Sequence, residues 1–188
     1  MQSLQSPKEF IEDQQGLENL FQRYVDISEK KRSYYDNNRK TPFVAEIKDA
    51  IKNRYYVGIY YEETKESDVV KSGFRLIEPY AYGLGFVSPQ TGEISYPDRK
   101  YLRAFVIMDT EKDDLVDKKF PVSRRSVSKT NREPFWRQFR IDRISTWFAF
   151  PKRFSRYRNL YNPNDKMMRR VITSLDYDQF PFGQRAES

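Results

Sequence analysis

Three short blocks in the middle of the chain contain arginine and aromatic residues that could bind an anion. They are residues 73–80 (GFRLIEPY), 100–105 (KYLRAF) and 136–144 (WRQFRIDRI), and each alternates apolar with charged positions. A guanidinium group can hold a phosphate through two hydrogen bonds, and an aromatic ring can stack on a nucleobase. The candidates for anion or nucleic-acid binding are therefore Arg75, Tyr101, Arg103, Arg137, Arg140 and Arg143. Alternatively, these arginines form ion pairs within the fold, for example with Glu78 or Asp142.

Positive charge is concentrated between residues 118 and 170. This stretch has 16 Lys and Arg against three Asp and Glu, a net charge of +13, which leaves −6 for the rest of the +7 chain. Arg124, Arg125, Lys152 and Arg153 from this stretch could contact phosphates of a duplex or a single strand. An acidic protein neighbour, or a solvated basic surface, would also account for them.

The composition excludes several kinds of active site. The chain has neither His nor Cys, so it has no disulfide, no thiol nucleophile, no histidine-based triad and few options for zinc. Asp113, Asp114 and Asp117 could hold a hard cation, but no glycine fixes their loop, and solvated charge is the simpler interpretation. We therefore expect no catalytic residue, no metal site and no cofactor.

Two helices are predicted at the N-terminus. Ser6 and Glu9 flank Pro7 as in a capping box, and the apolar residues that follow recur every three or four positions, so a helix is expected over about 7–35. A second helix is expected over about 42–53. Their apolar stripes would pack against a core or a neighbouring subunit, and the residues expected to dock on a partner are Phe10, Phe21 and Tyr24.

From residue 55 onwards the sequence has the residue pattern of β-strands. Short apolar runs rich in aromatic and β-branched residues lie within 55–61, 74–80, 82–87, 101–108, 136–140 and 144–150. Gly83 and Gly85 within one of these runs predict a bulge or bend. The polar segment 110–134 predicts a long loop. Four or five short strands that follow N-terminal helices indicate a small barrel or a strongly bent sheet.

We therefore divide the chain into an N-terminal helical arm (1–40), a barrel domain (41–150) and a C-terminal extension (151–188). The extension interleaves basic and aromatic residues and offers no core of its own. It is predicted to be an extended tail that docks on a partner through Phe154, Tyr157, Phe180 and Phe182. No apolar run is long enough to span a membrane, and the N-terminus lacks the features of a signal peptide, so we expect a cytoplasmic protein or a virion component.

The central blocks resemble the WYL-domain family, whose fold is an Sm/SH3-like β-barrel. Residues 50–60, 75–79, 101–102 and 137–144 match the family's blocks in order, although Lys100 stands where the family has its Trp. The resemblance covers about residues 48–148. It implies a ligand- or nucleic-acid-sensing module, with Tyr101 and Arg137 where the family's ligand contacts lie. Such modules usually follow a winged-helix domain, for which the N-terminal segment is too short here, so the stand-alone version found in large bacteriophages is the better parallel.

The sequence therefore predicts an α+β protein in which N-terminal helices precede a small SH3/Sm-like β-barrel and an extended tail. The expected function is that of a non-enzymatic subunit of a larger assembly, such as the neck, collar or tail ring of a bacteriophage virion. It would contact neighbouring subunits, in a homo-oligomeric ring or a hetero-assembly, and could also contact DNA. The alternative is a WYL-type regulator or defence sensor that binds nucleic acid or a nucleotide-like ligand.

Overall fold

The computed structural model forms two compact units, Met1–Asn38 and Arg39–Ser188. It describes residues 7–32, 42–62, 72–88, 90–109, 136–154, 158, 161–164, 166–176 and 178. Side chains of the first helix are described from residue 15 to residue 28. The segment 110–134, predicted to be a long loop, lies outside the described residues.

The first unit contains helix α1, Pro7–Arg32, which begins at the proline that the sequence predicts as its first residue. Gly16 lies inside this helix and does not end it. Leu17, Phe21, Tyr24 and Val25 are buried, and they recur at the three- and four-residue steps that place side chains on one helix face. The helix predicted over about 7–35 is thus confirmed, with its apolar stripe on one face.

The second unit opens with helix α2, Val44–Asn53, close to the predicted bounds. The Glu46 carboxylate accepts a hydrogen bond from the Phe43 backbone N–H at 2.9 Å, which satisfies one donor at the helix start. Ile47, Ala50 and Ile51 are buried, and the helix packs on strands described below. It ends at Arg54, whose left-handed backbone (φ 57°) turns the chain into the first strand.

Six antiparallel strands follow, in the order β4-β3-β2-β1-β5, with β6 paired to β2. Helix α2 packs against β1, β2 and β6. The strands are β1 Tyr55–Tyr61, β2 Gly73–Val87, β3 Ile94–Asp109, β4 Trp136–Arg140, β5 Ile144–Arg153 and β6 Met168–Ser174. A single 3-10 turn, Ile141–Arg143, joins β4 to β5.

The prediction of a small SH3/Sm-like barrel with an extended tail is wrong. Strands β2 and β3 are 15 and 16 residues long, and β1 pairs only with the Gly73–Ile77 end of β2. The other end of β2 pairs with β6, which comes from the segment predicted to be a tail. The sheet is therefore extended by a sixth strand, and no pairing between β4 and β5 closes it within the described residues. It does curl, because the rings of Tyr61 in β1 and Phe139 in β4 approach to 5.1 Å.

Glycines on β2 make room for β6. A Cβ atom on Gly83 would lie 2.3 Å from the backbone oxygen of Arg170, closer than any real contact allows. Gly85 has φ +71°, and a Cβ atom there would meet the Cβ of Arg169 at 2.8 Å. The irregularity predicted from these glycines is confirmed by register shifts at this segment, but the extra residues lie in the partner strands, Ile172 in β6 and residues 96–99 in β3. The glycines therefore let β6 approach the backbone of β2 closely.

Candidate functional site

Strand β2 places Arg75 in the interior of the curled sheet. Its residue exposure is 2%, and its guanidinium carbon lies 5.5 Å from the ring centroid of Tyr61 and 5.8 Å from that of Phe139. Both distances are in the range of cation–π contacts. The arginine thus contributes to packing, and an external phosphate could not reach it without opening the sheet.

Three other candidates share one face of β3 and β4. Tyr101 is opposite Arg140, and Arg103 is opposite Gln138, so these side chains lie on the same side of the sheet. Their polar groups already have contacts: Arg140 Nε donates to Asp142 Oδ1 at 3.0 Å, and the Arg103 guanidinium lies 5.4 Å from the Trp136 ring centroid. The hydrogen bonds between Arg140 and Asp142 raise the pKa of the arginine and lower the pKa of the carboxyl group.

The remaining basic candidates are dispersed. Arg137 donates a hydrogen bond to the backbone oxygen of Trp136 at 3.1 Å, and Arg143 is half-buried at the end of the 3-10 turn. Lys152 is half-buried near the end of β5, and Arg153 is exposed there, with its guanidinium carbon 5.4 Å from the ring centroid of Tyr55. Arg124 and Arg125 lie outside the described residues. The described members of the predicted set therefore do not converge on one anion site.

The residues predicted to dock on a partner have different environments. Phe154 is 1% exposed and packs against the rings of Tyr56 and Tyr80, so it belongs to the core of its own chain. Phe21 and Tyr24 are buried, with ring centroids 6.4 Å apart. The side chain of Phe10 and the residues Tyr157, Phe180 and Phe182 lie outside the described part of the chain.

A buried charge cluster that the sequence did not reveal lies between β2 and the segment after β5. Arg158 donates to both carboxylate oxygens of Glu78 at 2.7 Å, and Glu78 is 1% exposed. The Tyr80 hydroxyl donates to Glu78 at 3.2 Å and accepts from the Arg158 backbone N–H at 2.9 Å. Burial opposes the charge on Arg158, but the neighbouring Glu78 carboxylate outweighs it and raises the arginine pKa. Burial, reinforced by Glu78, raises the pKa of Tyr80 well above 10.

Aromatic rings surround this cluster and attach the C-terminal segment to the sheet. Trp136 stacks on Tyr161 with a ring separation of 5.9 Å, and it meets Tyr80 edge-on at 4.9 Å. The Tyr161 hydroxyl donates to the backbone oxygen of Leu175 at 2.7 Å, just beyond β6. The guanidinium of Arg158 lies 4.8 Å from the ring centroid of Phe105. The side chains of Glu78, Tyr80 and Arg158 all form hydrogen bonds within the chain, so the role of the cluster is to stabilise the fold.

Comparison with protein-family models, with curated proteins and with solved structures found no match. The resemblance to the WYL family therefore stays a prediction. Within the described ranges, no three His, Cys, Asp or Glu side chains are grouped so that they could hold a metal ion. None of the helices there has the length and apolar composition needed to cross a membrane.

Strand β5 is the last strand at one end of the described sheet, and we call its residues 145–150, which include the exposed Phe148 and Ala149, the β5 edge. Strand β5 pairs with β1 on one side, and no other described strand pairs with it. Phe148 in this segment is 50% exposed and contacts the ring of Phe150 at 5.0 Å, and Ala149 is also exposed. An edge strand with apolar exposed residues can accept a strand or an apolar face from another chain.

Proposed function

We propose that the chain is a non-enzymatic subunit of a larger assembly and that a second copy of the chain docks on its β5 edge. The observation that carries this proposal is the exposed Phe148 on a strand that ends the sheet within the described residues. Folded proteins usually protect such an edge with charges, bulges or a covering element. Here the residues from Trp147 to Phe150 are all apolar.

Backbone pairing at this edge would end before Pro151. Pro151 follows the apolar run inside β5, and a proline has no N–H to donate to a neighbouring strand. An incoming strand could therefore pair beside residues 145–150 and would have to diverge at Pro151. This restriction favours a short, specific contact over open-ended strand addition.

Burial of the Phe148 side chain would contribute much of the affinity. A phenylalanine has roughly 200 Å² of side-chain surface, so its exposed half corresponds to roughly 100 Å². At about 25 cal/mol per Å², covering this area is worth about 2.5 kcal/mol. Such a difference corresponds to a change of roughly 60-fold in the dissociation constant.

Charge complementarity favours a copy of the same chain as the occupant. The edge belongs to the 118–170 stretch with its net charge of +13, whereas the rest of the chain has −6. A contact between the basic region of one copy and an acidic region of the next is heterologous, and such contacts close into rings when the rotation allows. A ring in the neck, collar or tail of a bacteriophage virion is the setting that we propose.

The test is the native mass of the purified protein and of two variants. Phe148→Ser should weaken self-association by roughly 60-fold. Phe43→Ser is the control, because Phe43 is 64% exposed at the N-cap of α2, where serine is a favourable residue. We expect a discrete oligomer for the wild type and the control. A monomeric wild type at high concentration, or an unchanged oligomer for Phe148→Ser, would refute the proposal.

The alternative function, a WYL-type regulator with its ligand at the β3–β4 arginines, has less support. Arg140 is bonded to Asp142, Arg103 lies over the Trp136 ring, and Arg75 is buried. A ligand at this position would have to compete with these contacts. We therefore place the assembly function first.

A further inference from the structure

A second exposed surface, which is basic rather than apolar, lies at the turn end of the β2–β3 hairpin. We call it the hairpin end, and it consists of Tyr96, Arg99, Lys100, Arg169 and Arg170. Tyr96 is 59% exposed; Lys100, Arg169 and Arg170 are also exposed, and Arg99 is half-buried. This surface shares no residue with the β5 edge, so a ligand could bind here whether or not copies of the chain assemble.

An enlarged bulge in β3 presents the aromatic ring of this surface. Between the pairs Phe86↔Ser95 and Leu84↔Lys100, β2 has the single residue Gly85, whereas β3 has residues 96–99. Tyr96 in this bulge has φ +49°, a left-handed backbone that is uncommon for a bulky residue. Strained positions of this kind persist where the structure holds them, and they cluster at binding sites.

Arg99 covers one face of the Tyr96 ring. Its guanidinium carbon lies 3.7 Å from the ring centroid, which is stacking distance. Because the tyrosine is still 59% exposed, much of its ring remains open to solvent. A ring backed by a guanidinium and more than half exposed is a platform on which another flat ring can stack.

Three further cations lie beside this bulge, Lys100 and Arg170 on one face of the sheet and Arg169 on the other. Arg170 and Lys100 are both paired with Leu84, one from each side, so they share a face about 10 Å apart. A Cβ atom placed on Gly85 would meet both the Cβ of Arg169, at 2.8 Å, and the backbone oxygen of Pro97, at 3.1 Å. Arg169 therefore lies directly against the bulge that contains Tyr96.

Within the described residues, the one carboxylate of the bulge, Asp98, is exposed and forms no ion pair with these cations. No ion pair or side-chain hydrogen bond there involves Lys100, Arg169 or Arg170, unlike Arg140 and Arg158. Exposed cations grouped at one end of a sheet raise the local potential and attract anions. Proteins bind single-stranded nucleic acid by combining cationic side chains, which contact the phosphates, with aromatic rings on which the bases stack.

We propose that the hairpin end binds single-stranded nucleic acid. An unpaired base stacks on the exposed ring of Tyr96, and Lys100, Arg169 and Arg170 contact the phosphates on either side of that base. A duplex fits less well, because its bases are already stacked and present no free face. An acidic protein segment would satisfy the cations but would leave the Tyr96 platform without a partner.

The experiment measures binding of a fluorescent oligo-dT to the full chain by anisotropy, over a range of salt concentrations. Tyr96→Ala should weaken binding between about 5-fold and 150-fold, as expected for loss of one stacked base, and Tyr96→Phe should retain it. Arg170→Ala should reduce the salt slope by about 0.7 for one lost phosphate contact. Lys48→Ala, which removes one exposed positive charge on α2, should leave the slope unchanged.

Competitors identify the ligand class. Unlabelled oligo-dT and oligo-U should both compete, and their order tells whether DNA or RNA is preferred. A duplex that competes as well as oligo-dT would overturn the stacking argument. Stronger competition by polyglutamate would reassign the surface to an acidic protein partner. Absence of oligo-dT binding at low salt would refute the proposal and would leave the native-mass test of the β5 edge unaffected.

Discussion

Replacement of Arg158 by methionine tests whether the buried charge cluster holds the C-terminal segment in place. The substitution removes both 2.7 Å hydrogen bonds to Glu78 and leaves that carboxylate at 1% exposure. Removal of one partner from a buried ion pair typically costs 3–5 kcal/mol. We expect a value near the lower end, about 3 kcal/mol, because the Arg158 side chain is 17% exposed and the Tyr80 hydroxyl still donates to Glu78.

The assay is urea unfolding at neutral pH, followed by tryptophan fluorescence and extrapolated to water. Trp136 packs beside the cluster, so its emission reports on this region. Arg140→Met is the matched control, because the side chain of its partner Asp142 is 58% exposed. An exposed pair contributes no more than about 1 kcal/mol, so the control should lose far less stability than Arg158→Met.

The double variant Glu78→Leu, Arg158→Met completes the test. Removal of both charges leaves no unpaired buried carboxylate, so the double variant should be more stable than Arg158→Met alone. A loss below about 0.5 kcal/mol for Arg158→Met, or effects of the two substitutions that simply add, would refute our account of the cluster.

Three further predictions concern Tyr80, Gly83 and Asp142. Because burial raises the Tyr80 pKa, its contribution to stability is complete below pH 10 and falls as the pH rises above that value; Tyr80→Phe should flatten this decline in unfolding titrations. Gly83→Val should displace β6 from β2, since its Cβ would overlap the Arg170 oxygen, and hydrogen exchange should accelerate in β6 before it does in β1. Asp142→Asn should cost at most about 1 kcal/mol at neutral pH, and the difference should vanish as the pH falls through the lowered Asp142 pKa.

The local signals in the sequence predicted the helices and the place of the irregular strand pairing at Gly83 and Gly85. Pro7 begins α1, and Gly83 and Gly85 mark the place where β6 approaches β2. These features depend on backbone restrictions that act within a few residues, so a local pattern suffices to detect them.

The long strands and the place of the last strand could not be predicted in this way. The bulge at Tyr80 interrupts the alternation of β2, so one 15-residue strand has the pattern of two short ones. The segment of β6 has no pattern that distinguishes a strand from a helical turn, and its pairing with β2 determines its structure. The same holds for the arginines: Arg158 finds Glu78 at a separation of 80 residues, which no local pattern encodes.

Strand β2 pairs with β1 at one end and with β6 at the other, and this has a consequence for synthesis on the ribosome. Strand β1 lies close to β2 in sequence and is translated before it, so this pairing can form early, whereas Thr173 of β6 is made 91 residues after its partner Tyr82. Throughout that interval the far half of β2 lacks one neighbour, and unpaired strand edges promote aggregation of nascent chains. Translation that stalls or terminates before residue 168 would therefore leave a product that depends on chaperones to remain dispersed.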